Sequence, residues 1–339
     1  MFVGYIEHLD QDRVGALQYL YVSLSNICNA HCAYCDVHSQ PPPVRPFDRD
    51  DLTRIFGDAR SLGCGTVHFL GGGEPLVAPR FADAVGACND LGLHIAITTN
   101  GSHLARRLRS ELRGAVVDMI IVSIDSHRSQ EHNTIRGMRR LWEWAVEGIA
   151  TARELTPSTH LVVNHVVTAS NIRLLPEYIE WAGGLGINAI NLIPVKDSPD
   201  LGATLEHVTW LAEHFMELTL QARAYGIELL CEVEDVMEWR SHLLGTPGGR
   251  EYRCAFPEHT LYIDFPTGST FPCDCTIHRA PASTFDLGNI WHQPLSAIWG
   301  DERIRNLREV LASPCDPGCK RDCDWNNVRT NRQLVTVGS

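Results

Sequence analysis

The chain has 339 residues, 44% hydrophobic and 21% charged, so it can bury a large core and is long enough for one large and one smaller domain. It contains 29 Lys and Arg against 41 Asp and Glu, and the resulting net charge of -12 disfavours binding to nucleic acid through its phosphates. No run approaches the roughly 20 apolar residues of a membrane-spanning helix, and no basic stretch with a long apolar core begins the chain. We therefore expect a cytoplasmic protein that binds neither nucleic acid nor membrane.

The twelve cysteines form two groups and three isolated residues. Because the cytoplasm keeps thiols reduced, so many cysteines indicate metal binding or catalysis rather than disulfides. We expect the three isolated cysteines to be small buried hydrophobic residues. The first group is Cys28, Cys32 and Cys35, the second is Cys254, Cys273, Cys275, Cys315, Cys319 and Cys323, and the isolated residues are Cys64, Cys88 and Cys231.

Taken in order, the chain begins with an apolar strand at residues 20–25, and the first cysteine group follows it directly. Asp48 is the expected N-cap of the first helix. Helical and continuous apolar segments then alternate, as in a parallel sheet covered by helices. The predicted helices are 49–62, 80–91, 103–113, 139–155, 174–184 and about 206–225, and the further strands are 66–70, 93–99, 118–124, 159–167 and 187–195.

Six strands with six helices cannot complete an eight-unit barrel, so the pattern predicts an α/β fold with a partial (β/α)6 TIM-like barrel. The pattern changes after Gly226. There we expect a strand at 227–233, a hairpin of strands 260–265 and 269–271, and a helix over 294–311. The predicted domains are an N-terminal extension (1–19), the barrel (20–226) and a smaller C-terminal α+β domain (227–339).

Polar and glycine-rich motifs follow the predicted strands, at the end of the barrel where functional groups lie. The sequences Gly72–Glu74, Thr98–Asn100 and Ser123–Asp125 each come directly after a strand. Further polar residues near later strand ends are candidates to bind a substrate, although a structural role is at least as well supported for each. They are Asn164, His165, Asn191 and Lys196, with Glu232 as a candidate catalytic residue.

The first cysteine group has the spacing C-x3-C-x2-C. Three thiolates on one tight loop can each bind one iron of a four-iron cluster, which leaves the fourth iron open. A zinc ion is the alternative, and it would need a fourth protein ligand such as His31 or His38. Zinc would leave the motifs at the other strand ends unexplained.

This spacing, together with Gly72-Gly73-Glu74-Pro75, Thr98–Gly101, Ser123–Asp125 and Arg136-Gly137 in that order, resembles the radical S-adenosylmethionine (SAM) enzymes. The resemblance implies that the three cysteines hold a [4Fe-4S] cluster that cleaves SAM. It also implies a SAM-binding role for several residues, each with a structural alternative such as a turn, a core position or a solvated charge. These are Gly72, Gly73 and Glu74 at the SAM amino group, Tyr34 near the adenine, Asn100 and Ser123 at the ribose or carboxylate, and Arg136 at the carboxylate.

The second cysteine group resembles the auxiliary-cluster extension of the SPASM and twitch subfamilies, in which a glycine precedes a cysteine as Gly268 precedes Cys273. Because six cysteines cannot supply eight ligands, we expect one auxiliary [4Fe-4S] cluster. The alternatives are structural zinc and a second, incompletely ligated cluster. The expected ligands are Cys254, Cys273, Cys319 and Cys323, with Cys315 and Cys275 as alternates.

The resemblance implies an enzyme that takes a hydrogen atom from its substrate and receives electrons from a flavodoxin or ferredoxin. Since the first cysteine is already at position 28, we expect no N-terminal peptide-recognition domain. This favours a small polar metabolite, such as a sugar, aminocyclitol or nucleoside of specialised or antibiotic biosynthesis, that undergoes dehydrogenation, decarboxylation or epimerisation. The alternatives are a radical SAM modifier of a peptide or protein and a non-catalytic iron-sulfur or zinc protein.

Overall fold

The computed structural model describes residues 15–35, 45–195, 198, 200–244, 254, 256–274, 276 and 285–312, with the backbone alone at 242, 311 and 312. No helix within these ranges combines the length and apolarity that crossing a membrane requires.

The strands of the described chain form one sheet in the order β10-β9-β8-β1-β2-β3-β4-β5-β6-β7. All neighbours from β8 to β7 are parallel, whereas β8, β9 and β10 pair antiparallel. The sheet is open, as a partial barrel requires. Its strands are β1 Tyr19–Ser23, β2 Thr66–Phe69, β3 His94–Thr99, β4 Met119–Ser123, β5 His160–Val167, β6 Ala189–Pro194, β7 Glu228–Leu229, β8 Thr260–Asp264, β9 Ser269–Phe271 and β10 Gly288–Asn289.

Helices connect the parallel strands and cover the outer face of the sheet. Asp48 caps the first of them, as predicted, and its carboxylate accepts the N–H of Asp51. The helices are α1 Arg49–Ser61, α2 Phe81–Asp90, α3 Leu104–Arg109, α4 Ser129–Ile135, α5 Leu141–Leu155, α6 Leu175–Gly183, α7 Leu205–Ala224, α8 Val233–Leu243, α9 Phe256–His259, α10 Leu295–Trp299 and α11 Glu302–Ala312.

Alternate residues of each strand enter different cores because successive side chains point to opposite faces. The main core lies between the sheet and the helices and includes Val22, Phe69, Ile97 and Val163. Two smaller clusters lie on the inner face. The inner apolar cluster is Ala96, Met119, Ile121, Val162, Ala189 and Leu230, and the aromatic cluster is Tyr19, Tyr21, Phe256, Tyr262, Phe271 and Cys273.

The C-terminal segment departs from the prediction at two places. The strand expected at 227–233 is only two residues long, because the Asp235 carboxylate accepts the N–H of Glu232 and α8 begins at Val233. The helix expected over 294–311 is two helices. Gly300 ends α10, and the Asp301 carboxylate accepts the N–H of Arg303 at the start of α11.

The predicted hairpin is confirmed, since β8 and β9 pair antiparallel with Tyr262 opposite Phe271. The same strand β8 pairs in parallel with β1 over five residues, from Tyr19 opposite Thr260 to Ser23 opposite Asp264. The sheet therefore continues across the boundary predicted after residue 226, and that boundary stays a prediction. Of the isolated cysteines, Cys64 and Cys88 are buried as predicted, whereas Cys231 is only partly buried.

Candidate active site

The loop that carries the first cysteine group follows β1 and is held by the end of α4. His31 donates its N–H to the carbonyl of Arg136 at 3.0 Å, and Ala33 donates to Ile135 at 2.8 Å. Gly137 has a φ of 59°, and a Cβ there would overlap the carbonyl oxygen of His31. The Arg136-Gly137 motif thus supplies a backbone support for the cysteine loop.

The three thiols of this loop are free, with Cys28 and Cys32 partly buried and Cys35 exposed. Burial raises the pKa of Cys28 to about 11. Burial also raises the pKa of Cys32, although the Arg136 guanidinium opposes the shift. Three soft sulfur donors on one partly accessible loop fit an iron-sulfur cluster, whose irons stabilise thiolates. Among the described residues, no three His, Cys, Asp or Glu side chains gather as they would around a single metal ion.

The loop after β2 packs directly on the cysteine loop. A Cβ on Gly72 would overlap the Ser23 hydroxyl, and a Cβ on Gly73 would overlap the carbonyl of Ile27. Glu74 donates its N–H to the same Ile27 carbonyl at 3.0 Å. The two glycines are therefore required by the close approach of two loops, a reason that adds to the predicted approach of a ligand.

Glu74 connects the ends of β2 and β3. Its buried carboxylate accepts the Thr99 hydroxyl at 2.6 Å, the Asn100 N–H at 2.7 Å and the Leu76 N–H at 3.0 Å. Burial raises the pKa of Glu74, and these hydrogen bonds partly oppose the shift. Three donors to one carboxylate fix its orientation beside the cysteine loop.

Asn100 ties the cysteine loop to the end of β3 through a closed set of hydrogen bonds. Its amide donates to the side-chain oxygen of Asn29 at 2.9 Å, and the Asn29 amide donates to the Ser102 hydroxyl at 2.9 Å. The Ser102 N–H donates back to the Asn100 side-chain oxygen at 2.9 Å. The amide of Asn100 thus has protein partners on both sides, and its predicted contact with SAM stays a prediction.

A buried ion pair lies behind the cysteine loop. Arg136 donates from Nε and Nη2 to the two Asp125 oxygens at 2.7 and 2.9 Å, and the Tyr34 hydroxyl donates to Asp125 at 2.6 Å. Burial alone would raise the pKa of Asp125, but the Arg136 guanidinium lowers it to about 2. The Nε and Nη2 atoms of Arg136 are therefore already engaged by Asp125, and the Tyr34 hydroxyl also points to Asp125.

Asp125 is a site residue to which the sequence interpretation assigned no role. The available signal was its place directly after β4, at the end of the Ser123–Asp125 motif. Its partner is eleven residues further on, beyond α4, a helix that the sequence interpretation did not predict. Without that helix, the pairing of the two side chains could not be inferred.

Three predicted site residues come together on the inner face of the sheet: two predicted at the substrate, and Ser123, which was predicted at SAM. Ser123, Asn164 and Asn191 are register partners on β4, β5 and β6, and the Asn191 amide donates to the Asn164 side-chain oxygen at 3.0 Å. Each is two residues beyond a member of the inner apolar cluster, so each points to the same face as that cluster. All three are at least nine-tenths buried.

The other predicted residues lie elsewhere. His165 is on the opposite face of β5, against Tyr178 with ring centroids 4.2 Å apart, and burial lowers the pKa of His165 to about 4. Glu232 is exposed just before α8. Lys196 lies outside the described residues.

A second polar group lies on the inner face across β1, β2 and β3. The Tyr19 hydroxyl and His68 Nδ1 are 3.0 Å apart, and His68 Nε2 is 2.9 Å from the Thr98 hydroxyl. Burial lowers the pKa of His68 to about 3, so the imidazole is neutral. The sequence interpretation missed Tyr19 and His68 because they stand inside or beside apolar runs.

Two cysteines of the second group are described. Cys273 is buried within the aromatic cluster, and Cys254 packs against the same cluster. These two thiols, both at the aromatic cluster, could supply two of the ligands of an auxiliary iron-sulfur centre. The remaining predicted ligands and alternates, Cys275, Cys315, Cys319 and Cys323, lie outside the described residues.

Comparison with known proteins gives two family matches. Residues 22–182 match the Radical SAM superfamily, and residues 254–324 match the SPASM family, described as an iron-sulfur cluster-binding domain. A relative from Pyrococcus furiosus, the tungsten-containing aldehyde ferredoxin oxidoreductase cofactor-modifying protein, is 25% identical over 334 residues, which is 92% of this chain and 88% of the relative. The AdoMet-dependent heme synthase of Methanosarcina barkeri is 25% identical over 316 residues, covering 85% of this chain and 84% of the synthase.

Among solved structures, Streptococcus suis SuiB bound to the precursor peptide SuiA is similar in fold. The TM-score is 0.68 at 15% identity, over 90% of this chain and 71% of SuiB. The first family match contains the cysteine loop, and the second begins at Cys254 and ends after Cys323. Such domains bind SAM, a [4Fe-4S] cluster on the loop and auxiliary iron-sulfur clusters. The chain therefore contains a radical SAM domain and a C-terminal SPASM iron-sulfur cluster-binding domain, and it is an enzyme.

Proposed function

We propose that this enzyme abstracts a hydrogen atom from a small polar molecule bound inside the partial barrel. The observation that carries the proposal is the row of Ser123, Asn164 and Asn191 across three adjacent strands. Asp125, two residues beyond Ser123, contacts Tyr34 of the cysteine loop. The polar row therefore lies at the same end of the barrel as the loop.

When bound, the reduced cluster and SAM together supply a 5′-deoxyadenosyl radical, which no side chain could replace. The residues of the chain position the molecule that this radical meets. The amides of Asn164 and Asn191 suit hydroxyl and carbonyl groups, since each amide can donate and accept. The inner apolar cluster lies next to them on the same face of the sheet, and its apolar side chains would keep water away from a molecule bound there.

The two relatives described above support a non-peptide substrate. One is a cofactor-modifying protein and the other a heme synthase, and each aligns with most of this chain. SuiB was solved with a precursor peptide, but its 15% identity supports the fold alone. We propose a hydroxyl- or carbonyl-bearing metabolite or cofactor precursor, with sugars, aminocyclitols and nucleosides as the first candidates. Dehydrogenation, decarboxylation and epimerisation are the reactions to test.

The first experiment measures 5′-deoxyadenosine from SAM with dithionite under anaerobic conditions. We expect the reconstituted enzyme to form it and the Cys32→Ala variant to lose it. Cys64→Ala is the matched control, because Cys64 is buried away from both cysteine groups and should leave the product unchanged. Absence of 5′-deoxyadenosine from the wild-type enzyme would support a non-catalytic iron-sulfur or zinc protein instead.

The second experiment tests the class of substrate. A deuterium-labelled cell extract is separated by dialysis into small molecules and macromolecules, and each fraction is added to the enzyme. We expect deuterium in 5′-deoxyadenosine only with the small molecules. Deuterium transfer from the macromolecular fraction alone would instead support a modifier of peptides or proteins.

A further inference from the structure

The turn between α4 and α5 places two arginines beside the cysteine loop. Gly137 contacts His31, and Arg139 and Arg140 follow within two and three residues. Two residues span at most about 7 Å, so the chain at Arg139 stays close to the loop. Both arginines are exposed, as are His31 and Cys35 on the loop itself.

The conformation of this turn is unusually constrained. Arg140 has a φ of 67°, the only positive φ of a non-glycine residue in the described chain. This left-handed conformation is unfavourable for a residue other than glycine. The Arg140 guanidinium lies 5.6 Å from the Trp144 ring centroid, which keeps it on the outer surface at the start of α5.

Neither guanidinium pairs with a carboxylate of the described residues, and two of the three acidic side chains nearby pair with other arginines. Glu131 pairs with Arg128 at 3.0 Å, Glu143 accepts from the Asn133 amide at 3.3 Å, and Glu147 pairs with Arg109 at 2.7 Å. In a chain of net charge -12, two cations beside one carboxylate that no cation pairs with, that of Glu143, leave a locally positive turn.

We propose that Arg139 and Arg140, with the exposed cysteine loop beside them, form the docking surface for an acidic one-electron carrier protein. The general negative charge of the enzyme repels such a partner elsewhere, so the two cations select this face and speed the encounter. In the complex the carrier loses one electron and the cluster of the enzyme gains it, and no bond forms or breaks. The inference rests on the proposed function, because SAM cleavage requires this electron.

The test compares two reductants of the holoenzyme. A reduced flavodoxin must dock, whereas dithionite is a small ion that needs no protein interface. Cluster reduction is followed by stopped-flow absorbance without SAM, and 5′-deoxyadenosine is measured separately. We expect the Arg139→Glu/Arg140→Glu variant to slow reduction by flavodoxin about tenfold or more at low salt, with dithionite-driven product unchanged. The difference between the wild-type and variant rates with flavodoxin should shrink as salt is added, because salt screens the charge of the two arginines.

Two further variants separate local charge from other effects. Arg113→Glu/Arg223→Glu makes the same charge change at exposed positions that precede β4 and β7, at the opposite end of the barrel, and should keep the wild-type rate. Arg139→Lys/Arg140→Lys keeps the positive charge and should also be reduced by flavodoxin at the wild-type rate. Equal loss in either control, or no loss in the Arg139→Glu/Arg140→Glu variant, would overturn the docking proposal. Failure of the wild-type enzyme with dithionite would instead contradict the proposed function.

Discussion

Replacing Asp125 with Asn tests whether the buried ion pair behind the cysteine loop holds that loop in place. The Asp125 side chain is 0% exposed and that of Arg136 is 7% exposed. The substitution removes the charge that compensates Arg136 and takes one acceptor from a carboxylate that also binds the Tyr34 hydroxyl. Removing one partner of a buried pair costs about 3–5 kcal/mol.

Asp90→Asn is the matched control. Asp90 accepts from Arg49 at the same 2.7 Å distance, but the Arg49 side chain is 50% exposed and that of Asp90 is 70% exposed. An exposed pair contributes at most about 1 kcal/mol. The same chemical change therefore separates a buried pair from an exposed one.

The assays are urea denaturation of the iron-free proteins, followed by iron content and SAM affinity after reconstitution. We expect Asp125→Asn to lower the free energy of unfolding several times more than Asp90→Asn, and to lower iron content and SAM affinity. If both variants lower the free energy of unfolding by the same small amount, the Asp125–Arg136 pair does not stabilise the cysteine loop.

The pH dependence gives a second check on the same pair. Because the folded-state pKa of Asp125 is lowered to about 2, its contribution is complete above the ordinary Asp pKa and is lost as pH falls towards 2. This contribution is about 2 kcal/mol. The stability difference between wild type and Asp125→Asn should therefore narrow by that amount from pH 5 to pH 2, and a constant difference would contradict the charge assignment.

Three further predictions concern the site. Glu74→Gln places an amide NH2 group against the donors that Glu74 now accepts, so one buried donor loses its acceptor. We expect urea denaturation to show a free energy of unfolding lower by about 1–3 kcal/mol. Gly73→Ala forces a Cβ onto the cysteine loop and should lower the iron content. Its control is Gly57→Ala, which lies in open space within α1 and should raise the free energy of unfolding by about 0.5–1 kcal/mol. Equal iron content in the two variants would refute the packing argument. Asn164→Ala should lower substrate-dependent 5′-deoxyadenosine formation about tenfold, while His165→Phe should not change it.

The sequence was sufficient for the barrel because its strands are buried on both faces and read as continuous apolar runs. Strand ends then located the motifs, since parallel strands bring their carboxyl ends to one edge. The same reading could not decide which of two neighbouring residues at a strand end lies on the inner face of the sheet. Asn164 and His165 differ by one residue, and a shift of one residue exchanges the two faces of a strand. Only the register with β4 and β6 separates them.

The sequence predicted where the site residues lie better than it predicted which side chains they contact. The glycines at 72 and 73 were predicted to admit a ligand, but their close neighbours in the structure belong to the cysteine loop. Arg136 was predicted at the SAM carboxylate, yet it also pairs with Asp125. In both cases a residue type indicates a requirement, such as close approach or a paired charge, without identifying the partner.

The pairing of β8 with β1 has a consequence for how the SPASM region influences the active site. Tyr262 of β8 stands opposite Tyr21 of β1, in the aromatic cluster that also contains Cys273. A Cβ on Gly71, at the start of the loop that ends in Glu74, would lie 2.9 Å from the Tyr262 hydroxyl. Because buried side chains are close-packed, we expect a displacement at Cys273 to reach the Glu74 loop through the Tyr262 ring. The strand β8 of the SPASM region therefore packs directly against the loop that carries Glu74.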